Sequence, residues 1–166
     1  MQRLLPVIRY SCSTFSSDAK KSLQEVRRVT QPAGGITAAV WDYGDVMGML
    51  RTFWNAAADV AARAESLDEK HMPLCRQGEL SQLWKQVGLE NVNEQSLDIT
   101  MRFDSFADYW EPFLLGQGPA GAYLKTVPPD RLQLLRRAVE ARLPLSSLND
   151  AFILPARVWA VRGTVP

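Results

Sequence analysis

The sequence has 166 residues, of which 46% are hydrophobic and 22% are charged, and its formal net charge is +1. This length suits one domain with a sizeable core, and the composition is that of an average globular protein. A near-neutral charge excludes any bulk electrostatic attraction to nucleic acid or to an anionic membrane. No apolar run reaches the roughly eighteen residues that predict a membrane-spanning helix. We therefore expect neither nucleic acid nor a membrane as a partner.

The first segment, "MQRLLPVIRYSCSTFSS", contains two arginines and no acidic residue. Such a composition is typical of a mitochondrial presequence, although Pro6 is unfavourable in the amphipathic helix that a presequence needs. The run "LLPVIRY" also fits a short strand of the domain. The sequence leaves both interpretations open, and we expect a cytoplasmic protein.

The next segment predicts a helix, a turn and a strand. Ala19, Leu23, Val26 and Val29 recur at helical spacing, and Ser17 or Asp18 can cap the first turn. Pro32 ends this helix, and Gly34–Gly35 provide the backbone freedom for a reversal. "ITAAVW" (36–41) then forms an unbroken apolar run. We expect an inner strand of a parallel sheet, covered on both faces.

The remaining elements follow in order along the chain. The pattern from residue 44 to 65 predicts a long helix, and a second helix ends near Gly88. "ENVNEQSLDITMRF" (90–103) has the looser alternation of an outer strand. Residues 104–148 are mostly helical, with a helix from Pro129 to about Leu143, and "AFILPARVWAVRG" (151–163) predicts a last strand.

Three side chains at the end of the predicted inner strand are the first candidates for a binding site. In an open α/β sheet, ligands bind beyond the carboxyl ends of parallel strands, where Trp41, Asp42 and Tyr43 stand. The alternative is that Trp41 belongs to the core and Asp42 caps the next helix. The residue types alone leave both interpretations open.

A second candidate is the segment from Asp108 to Leu124, in which aromatic residues flank a stretch rich in glycine and proline. Such a segment can form a mobile lid over an apolar pocket. The alternative is a small satellite core beneath a connection.

The sequence offers little for metal, redox or nucleophilic chemistry. Cys12 and Cys75 are far apart and in no ligand spacing, so we expect two reduced thiols. His71 is the single histidine, and it stands in a polar stretch. We therefore predict no metal site, and no general base can be assigned.

Four segments together resemble the C-terminal half of a class I S-adenosylmethionine-dependent methyltransferase of the ubiquinone/menaquinone methyltransferase type (methyltransferase type 11-like). They are "EVRRVTQPAGG", "ITAAVWDY", "RFDSFADYWEPFLLGQGPAGAYL" and "ARVWAVRG". The similarity covers Phe15 to Gly163, and residues 1–16 match poorly. In the turn before the predicted strand "ITAAVW", members of the family have the sequence Pro-Gly-Gly, whereas this chain has Pro32-Ala33-Gly34-Gly35.

The resemblance implies an α/β fold: a partial Rossmann-like sheet of three or four strands with an antiparallel last strand, covering helices and a helical lid insertion over 104–148. It implies methyl transfer from S-adenosylmethionine to a small organic acceptor. Asp42 would contact the cofactor, and the residues on the acceptor side would be Trp41, Tyr43, Trp110, Phe113, Gln117 and Tyr123.

The family's glycine-rich cofactor loop and ribose-binding acid have no counterpart in this sequence. We therefore expect residues 1–166 to form a single, truncated domain that binds S-adenosylmethionine weakly or not at all. Val26, Ile36 and Val40 should then be partly uncovered. The isolated chain should either self-associate through this face and its open sheet edge or be only marginally folded. The alternative function is a non-catalytic remnant that docks a partner.

Overall fold

The computed structural model describes residues 8–10 and 18–166. These residues form four strands: β1 (Ile8–Tyr10), β2 (Gly35–Trp41), β3 (Glu90–Phe103) and β4 (Phe152–Thr164). They form one sheet in the order β1-β2-β4-β3, in which β1 is parallel and β4 antiparallel to β2. The predicted α/β class, the number of strands and the antiparallel last strand are confirmed.

Six α-helices accompany these strands among the described residues. They are α1 (Ala19–Val29), α2 (Gly48–Val60), α3 (Glu79–Gln86), α4 (Phe106–Leu114), α5 (Gly118–Leu124) and α6 (Pro129–Glu140). Two short 3-10 helices, Ala62–Leu67 and Glu69–His71, follow α2. None of the helices in this part of the chain is long and apolar enough to cross a membrane.

The chain divides into two compact units. The first lies within Met1–Asp42, Pro73–Asp98 and Arg157–Pro166, and the second comprises Tyr43–Met72 and Ile99–Ala156. The long strands β3 and β4 contribute residues to both. The predicted single truncated domain stays a prediction. The interpretations of residues 1–7 and 11–17, including the presequence and Cys12, lie outside the described residues.

In the first unit, α1 begins and ends largely as predicted. The Asp18 carboxylate caps its first turn by accepting a hydrogen bond from the Lys21 N–H at 3.0 Å. Leu23 and Val26 are buried, and the Thr30 N–H closes the last turn on the Val26 carbonyl. Local signals are sufficient here because both ends of the helix are capped by residues next to it.

The turn that follows α1 differs from the prediction in one respect. The positive φ lies at Ala33 (61°), and neither Gly34 nor Gly35 adopts it. Gly34 is required for another reason: a Cβ there would lie 2.5 Å from the Thr30 methyl carbon and 2.7 Å from the Gln31 carbonyl oxygen. The extra alanine therefore takes the left-handed conformation, while the glycine provides space for the close approach of the chain.

Strand β2 is an inner strand, but the prediction that both its faces are covered is wrong. Ile36, Ala38 and Val40 are buried, whereas Thr37 and Ala39 are exposed. The expected partial exposure of Val26, Ile36 and Val40 is also wrong. The reason is the antiparallel pairing with β4, because such a sheet buries one face and leaves the other open to solvent.

The register with β4 explains how the buried face is completed. Ala38 lies opposite Val161 and Val40 opposite Trp159, and both partners in β4 are buried. In the same unit, the Trp84 indole N–H of α3 donates a hydrogen bond to the Ile36 carbonyl at 3.4 Å. The buried side chains of β2 are thus covered together with those of β4.

Strand β3 has the bounds that the sequence predicts and lies at the edge of the sheet. Its Glu94 carboxylate accepts hydrogen bonds from the N–H groups of Gly78 and Ser81, at 2.6 and 2.7 Å, and so satisfies the first turn of α3. Gly88, with φ at 76°, ends α3 as predicted.

In the second unit, the helices are shorter than their patterns suggest. The helix predicted from residue 44 begins at Gly48 and ends at Val60, and the helix predicted to reach Leu143 ends at Glu140. Phe53 and Trp54 of α2 are almost completely buried. Residues 104–148 are mainly helical, as predicted. Their role as a substrate-side insertion stays a prediction.

Candidate functional site

The end of β2 places a carboxylate inside the first unit. Asp42 follows the strand directly and is only 2% exposed. Its backbone N–H donates to the Arg157 carbonyl at 2.9 Å, so β4 holds this residue in line with the strand. Trp41 is half-buried, and Val158 is its cross-strand partner. A buried carboxylate at a strand terminus has a fixed position, which a ligand-binding group needs.

The alternative interpretation of this segment is not supported. Helix α2 begins at Gly48, and its N-cap residue is Met47, which provides no side-chain hydrogen bond to the helix. Asp42 is therefore not the N-cap residue. Trp41 is not fully buried either, and Tyr43, the first residue of the second unit, is half-buried.

The second unit contains an aromatic cluster centred on Phe53. The Phe53 ring stacks on Phe113 at 4.7 Å between centroids and meets Trp54 edge-on at 5.1 Å. Tyr123 lies 5.5 Å from Trp54, and Trp110 lies 6.1 Å from Phe113. Rings at these distances pack as a hydrophobic core with favourable aromatic geometry.

Three of the four acceptor-side residues predicted from the segment Asp108–Leu124 belong to that cluster. Trp110 is 5% exposed, Phe113 2% and Tyr123 7%. The fourth, Gln117, is exposed at the corner between α4 and α5. The structure thus brings the three rings together and leaves the amide outside. Their contact with an acceptor stays a prediction.

The buried tyrosines of this region are held as neutral phenols. The Tyr109 hydroxyl donates to the Met49 carbonyl at 2.8 Å, and burial raises the pKa of this phenol far above its ordinary value. Burial also raises the pKa of Tyr123, against a smaller opposite effect of Arg63. Neither group is a base at neutral pH, because its ionised form would be desolvated.

The sequence did not predict a buried polar network that lies beside the cluster. Arg51 of α2 binds the Asp68 carboxylate through both terminal nitrogens, and the Trp54 indole N–H donates to the Glu69 carboxylate. Asp68 is 5% and Glu69 6% exposed. The sequence does contain a signal for this network. Arg51 and Trp54 are three residues apart on one helix, and both require hydrogen-bond acceptors when buried. The adjacent acids Asp68 and Glu69 provide these acceptors.

Burial raises the pKa of Glu69, against the Trp54 hydrogen bond, which lowers it. The charge of Asp68 raises it further, and that of Arg51 lowers it. A desolvated carboxylate of this kind is a typical feature of functional sites, but it also occurs in structural networks. In this protein the groups that act on Glu69 are Trp54, Asp68 and Arg51, all of which belong to the packed interior of the second unit. This favours a structural role for Glu69.

In the described part of the chain, no three His, Cys, Asp or Glu side chains form a group that could hold a metal ion. His71 is exposed, and its Nε2 lies 3.8 Å from the Glu65 carboxylate. Cys75 is fully buried.

The described residues do not fit S-adenosylmethionine as a complete site. Four glycines have positive φ: Gly78, Gly88, Gly116 and Gly118. Each lies at the end of a helix or between two helices, and none lies in a loop that leads from a strand into a helix. A loop of that kind would present backbone N–H groups to the cofactor. Asp42 could therefore provide one contact, while most others would have to come from elsewhere.

No protein-family model matches the chain, and no curated protein matches it. Solved structures with a similar chain trace include a candidate methyltransferase from Bacillus halodurans C-125, with 10% identity and a TM-score of 0.49 over 96% of this chain and 68% of that one. The YcgJ protein from Bacillus subtilis has 14% identity and a TM-score of 0.47, over 89% of this chain.

A third structure is phosphoethanolamine N-methyltransferase 2 of Haemonchus contortus in complex with phosphomonomethylethanolamine and S-adenosylhomocysteine, with 11% identity and a TM-score of 0.43 over 96% of this chain. The chain spans 58% of the Bacillus subtilis protein and 33% of the Haemonchus contortus enzyme. We draw no functional conclusion from these similarities, because each of these three TM-scores is below 0.5.

Proposed function

We propose that this chain is part of an S-adenosylmethionine-dependent methyltransferase that acts on a small organic acceptor. Asp42 is the cofactor-binding residue of the proposal. The acceptor-side residues are Trp41, Tyr43, Trp110, Phe113, Gln117 and Tyr123. Since the described residues do not fit the cofactor as a complete site, we assign no catalytic step to any of them.

One observation carries the proposal: the buried Asp42 carboxylate stands at the carboxyl end of β2, in a sheet with the antiparallel last strand that the resemblance implies. This is the edge at which open α/β sheets bind ligands. The neighbouring strand fixes the backbone that carries this carboxylate, and a carboxylate can accept hydrogen bonds from a ligand hydroxyl.

The second candidate function is a docking module, and the edge strand β3 favours it. Most of its residues between Glu90 and Thr100 are exposed, and Leu97 and Ile99 are 46% and 44% exposed. An edge strand open on both faces can pair with another chain. For both candidate functions we propose that the protein is cytoplasmic.

The experiment that tests the first candidate is a titration of the isotope-labelled chain with S-adenosylhomocysteine, followed by amide chemical shifts. We expect weak binding, with a dissociation constant on the order of a millimolar, because one carboxylate compensates little of the entropy of association. The shifts should concentrate at the amides of residues 41–43.

The matched variants are Asp42→Asn and Asp45→Asn, which remove one negative charge each, three residues apart. The Asp42 variant should lose the shifts and the Asp45 variant should keep them. Absence of shifts at residues 41–43 up to the solubility limit, or equal loss in both variants, would contradict the proposal.

A further inference from the structure

A groove on the second unit combines an apolar floor with walls of leucine. It has a volume of about 430 Å³ and lies between α4 and α6. Phe106 and Trp110, whose rings stack at 5.8 Å, form its floor, and Leu114, Leu132 and Leu148 stand at its sides. Its polar lining includes Glu111 and Arg136. This volume is within the range of sites that accept a compact apolar group.

Large apolar side chains project beside this groove. Leu115 is 79% exposed, the highest value among the exposed large hydrophobic residues of the described chain, and Leu114 and Leu148 are 48% and 45% exposed. Leu114 and Leu148 line the groove, and Leu115 follows Leu114 at the C-terminal end of α4. We refer to the groove and these three leucines as one patch, because exposed apolar residues close together mark interaction surfaces.

The corner that carries Leu115 is well fixed by its backbone. The Leu115 N–H donates to the Glu111 carbonyl at 3.0 Å, and the Gly116 N–H donates to the Phe113 carbonyl at 2.9 Å. Gly121 contacts the backbone of Gly116 so closely that a Cβ there would lie 2.5 Å from the Gly116 carbonyl carbon. Leu115 is therefore presented on a rigid turn and loses little backbone entropy when it binds.

Two opposite charges border the same patch. Glu111 is exposed and makes no ion pair among the described residues. The Arg136 side chain is 42% exposed, lies 2.9 Å from the Glu140 carboxylate, and has its guanidinium carbon 5.3 Å from the centre of the Phe106 ring. A guanidinium has five N–H donors, so Arg136 can bind a second carboxylate beside Glu140.

We infer that this patch is a self-complementary interface that binds a second copy of the chain. A two-fold contact repeats each interaction, so Leu115 of each copy would enter the groove of the other. Glu111 of each copy would meet Arg136 of the other. The patch carries one negative and one positive side chain, Glu111 and Arg136. A second copy presents the same two charges and can complement both, whereas a ligand of a single charge sign can complement only one. This inference does not depend on methyl transfer.

Sedimentation velocity of the whole chain over a series of micromolar concentrations tests the interface. We expect a reversible monomer–dimer equilibrium. Leu115→Asn should weaken dimerisation by at least about tenfold, because truncation of a central apolar anchor has an effect of this size. The control is Leu134→Asn, on the same unit, at a residue that is 49% exposed and does not line the groove. It should dimerise like the wild type.

A charge-reversal cycle tests the orientation of the two copies. Glu111→Arg alone should weaken the dimer, and combining it with Arg136→Glu should restore most of the affinity. If Arg136→Glu lowers the helical content seen by circular dichroism, Arg136→Gln provides the second measurement and should weaken the dimer alone.

A monomer at all concentrations would overturn the inference. A dimer that Leu115→Asn leaves intact and Leu97→Asn abolishes would also overturn it, because the edge strand β3 would then be the interface.

Discussion

The end of β2 and the aromatic cluster of the second unit are held in place in different ways. Strand β2 is positioned by its neighbours β1 and β4, and Asp42 continues that pairing through its N–H bond to Arg157. The cluster depends on side chains from α2, α4 and α5, which are up to about seventy residues apart, from Phe53 to Tyr123. Backbone pairing fixes the first region, and long-range packing fixes the second.

The largest expected effect comes from the centre of the cluster. Phe53→Ala should lower the free energy of unfolding of the second unit by about 3–5 kcal/mol, because the ring is fully buried and its neighbours can collapse only partly into the cavity. Urea denaturation measures the change. Leu97→Ala, on the exposed edge strand, is the control and should stay within about 0.5 kcal/mol of the wild type. A small effect of Phe53→Ala would show that the cluster is loosely packed.

The next effect tests the backbone on which β2 depends. Gly34→Ala should destabilise the chain by roughly 1–3 kcal/mol, because the new Cβ would overlap with Thr30 and the Gln31 carbonyl. Gly35→Ala adds the same methyl group one residue later, where nothing lies within 4 Å of a Cβ. It should be neutral or stabilising by up to about 1 kcal/mol. Equal thermal melting temperatures of the two variants would mean that the turn has another geometry.

The smallest effect concerns Glu69, whose pKa burial raises above 4.5. A raised pKa in the folded state means that the protonated form favours folding. This contribution is complete below the unfolded pKa and is lost as the pH rises through the folded pKa. Glu69→Gln removes the charge and keeps an acceptor for Trp54. Its melting temperature relative to the wild type should therefore increase from about pH 4 to about pH 8. A constant difference would contradict the raised pKa.

The sequence predicts the first region better than the second because its signals are local. Asp18, Pro32 and the run from Ile36 to Trp41 indicate a capped helix, a turn and a strand within two dozen residues. The open face of β2 was not predicted, since "ITAAVW" contains apolar or weakly polar residues at exposed and buried positions alike. The burial of one face depends on tertiary packing, in which β2 shares the sheet with a strand more than a hundred residues later.

In the second region, the amino-acid composition identifies the segment Asp108–Leu124 but does not decide whether it forms a lid or a core. Aromatic residues around glycine and proline are compatible with a lid and with a core, and the partners that bury Trp110 and Phe113 come from α2. Likewise, Asp68 and Glu69 belong to a stretch that reads as polar and solvated. Their burial follows from Arg51 and Trp54, which require acceptors at that place.

Amide hydrogen exchange tests most directly the claim that the aromatic rings of α4 and α5 form a core of the second unit. Because Trp110, Phe113 and Tyr123 are buried against α2, we expect slow exchange for the amides of α4. Protection at Trp110 and Phe113 should be within about tenfold of that at Val40 in β2. Exchange more than about a hundredfold faster across residues 108–124 than in β2 would contradict this claim and identify the segment as a mobile lid.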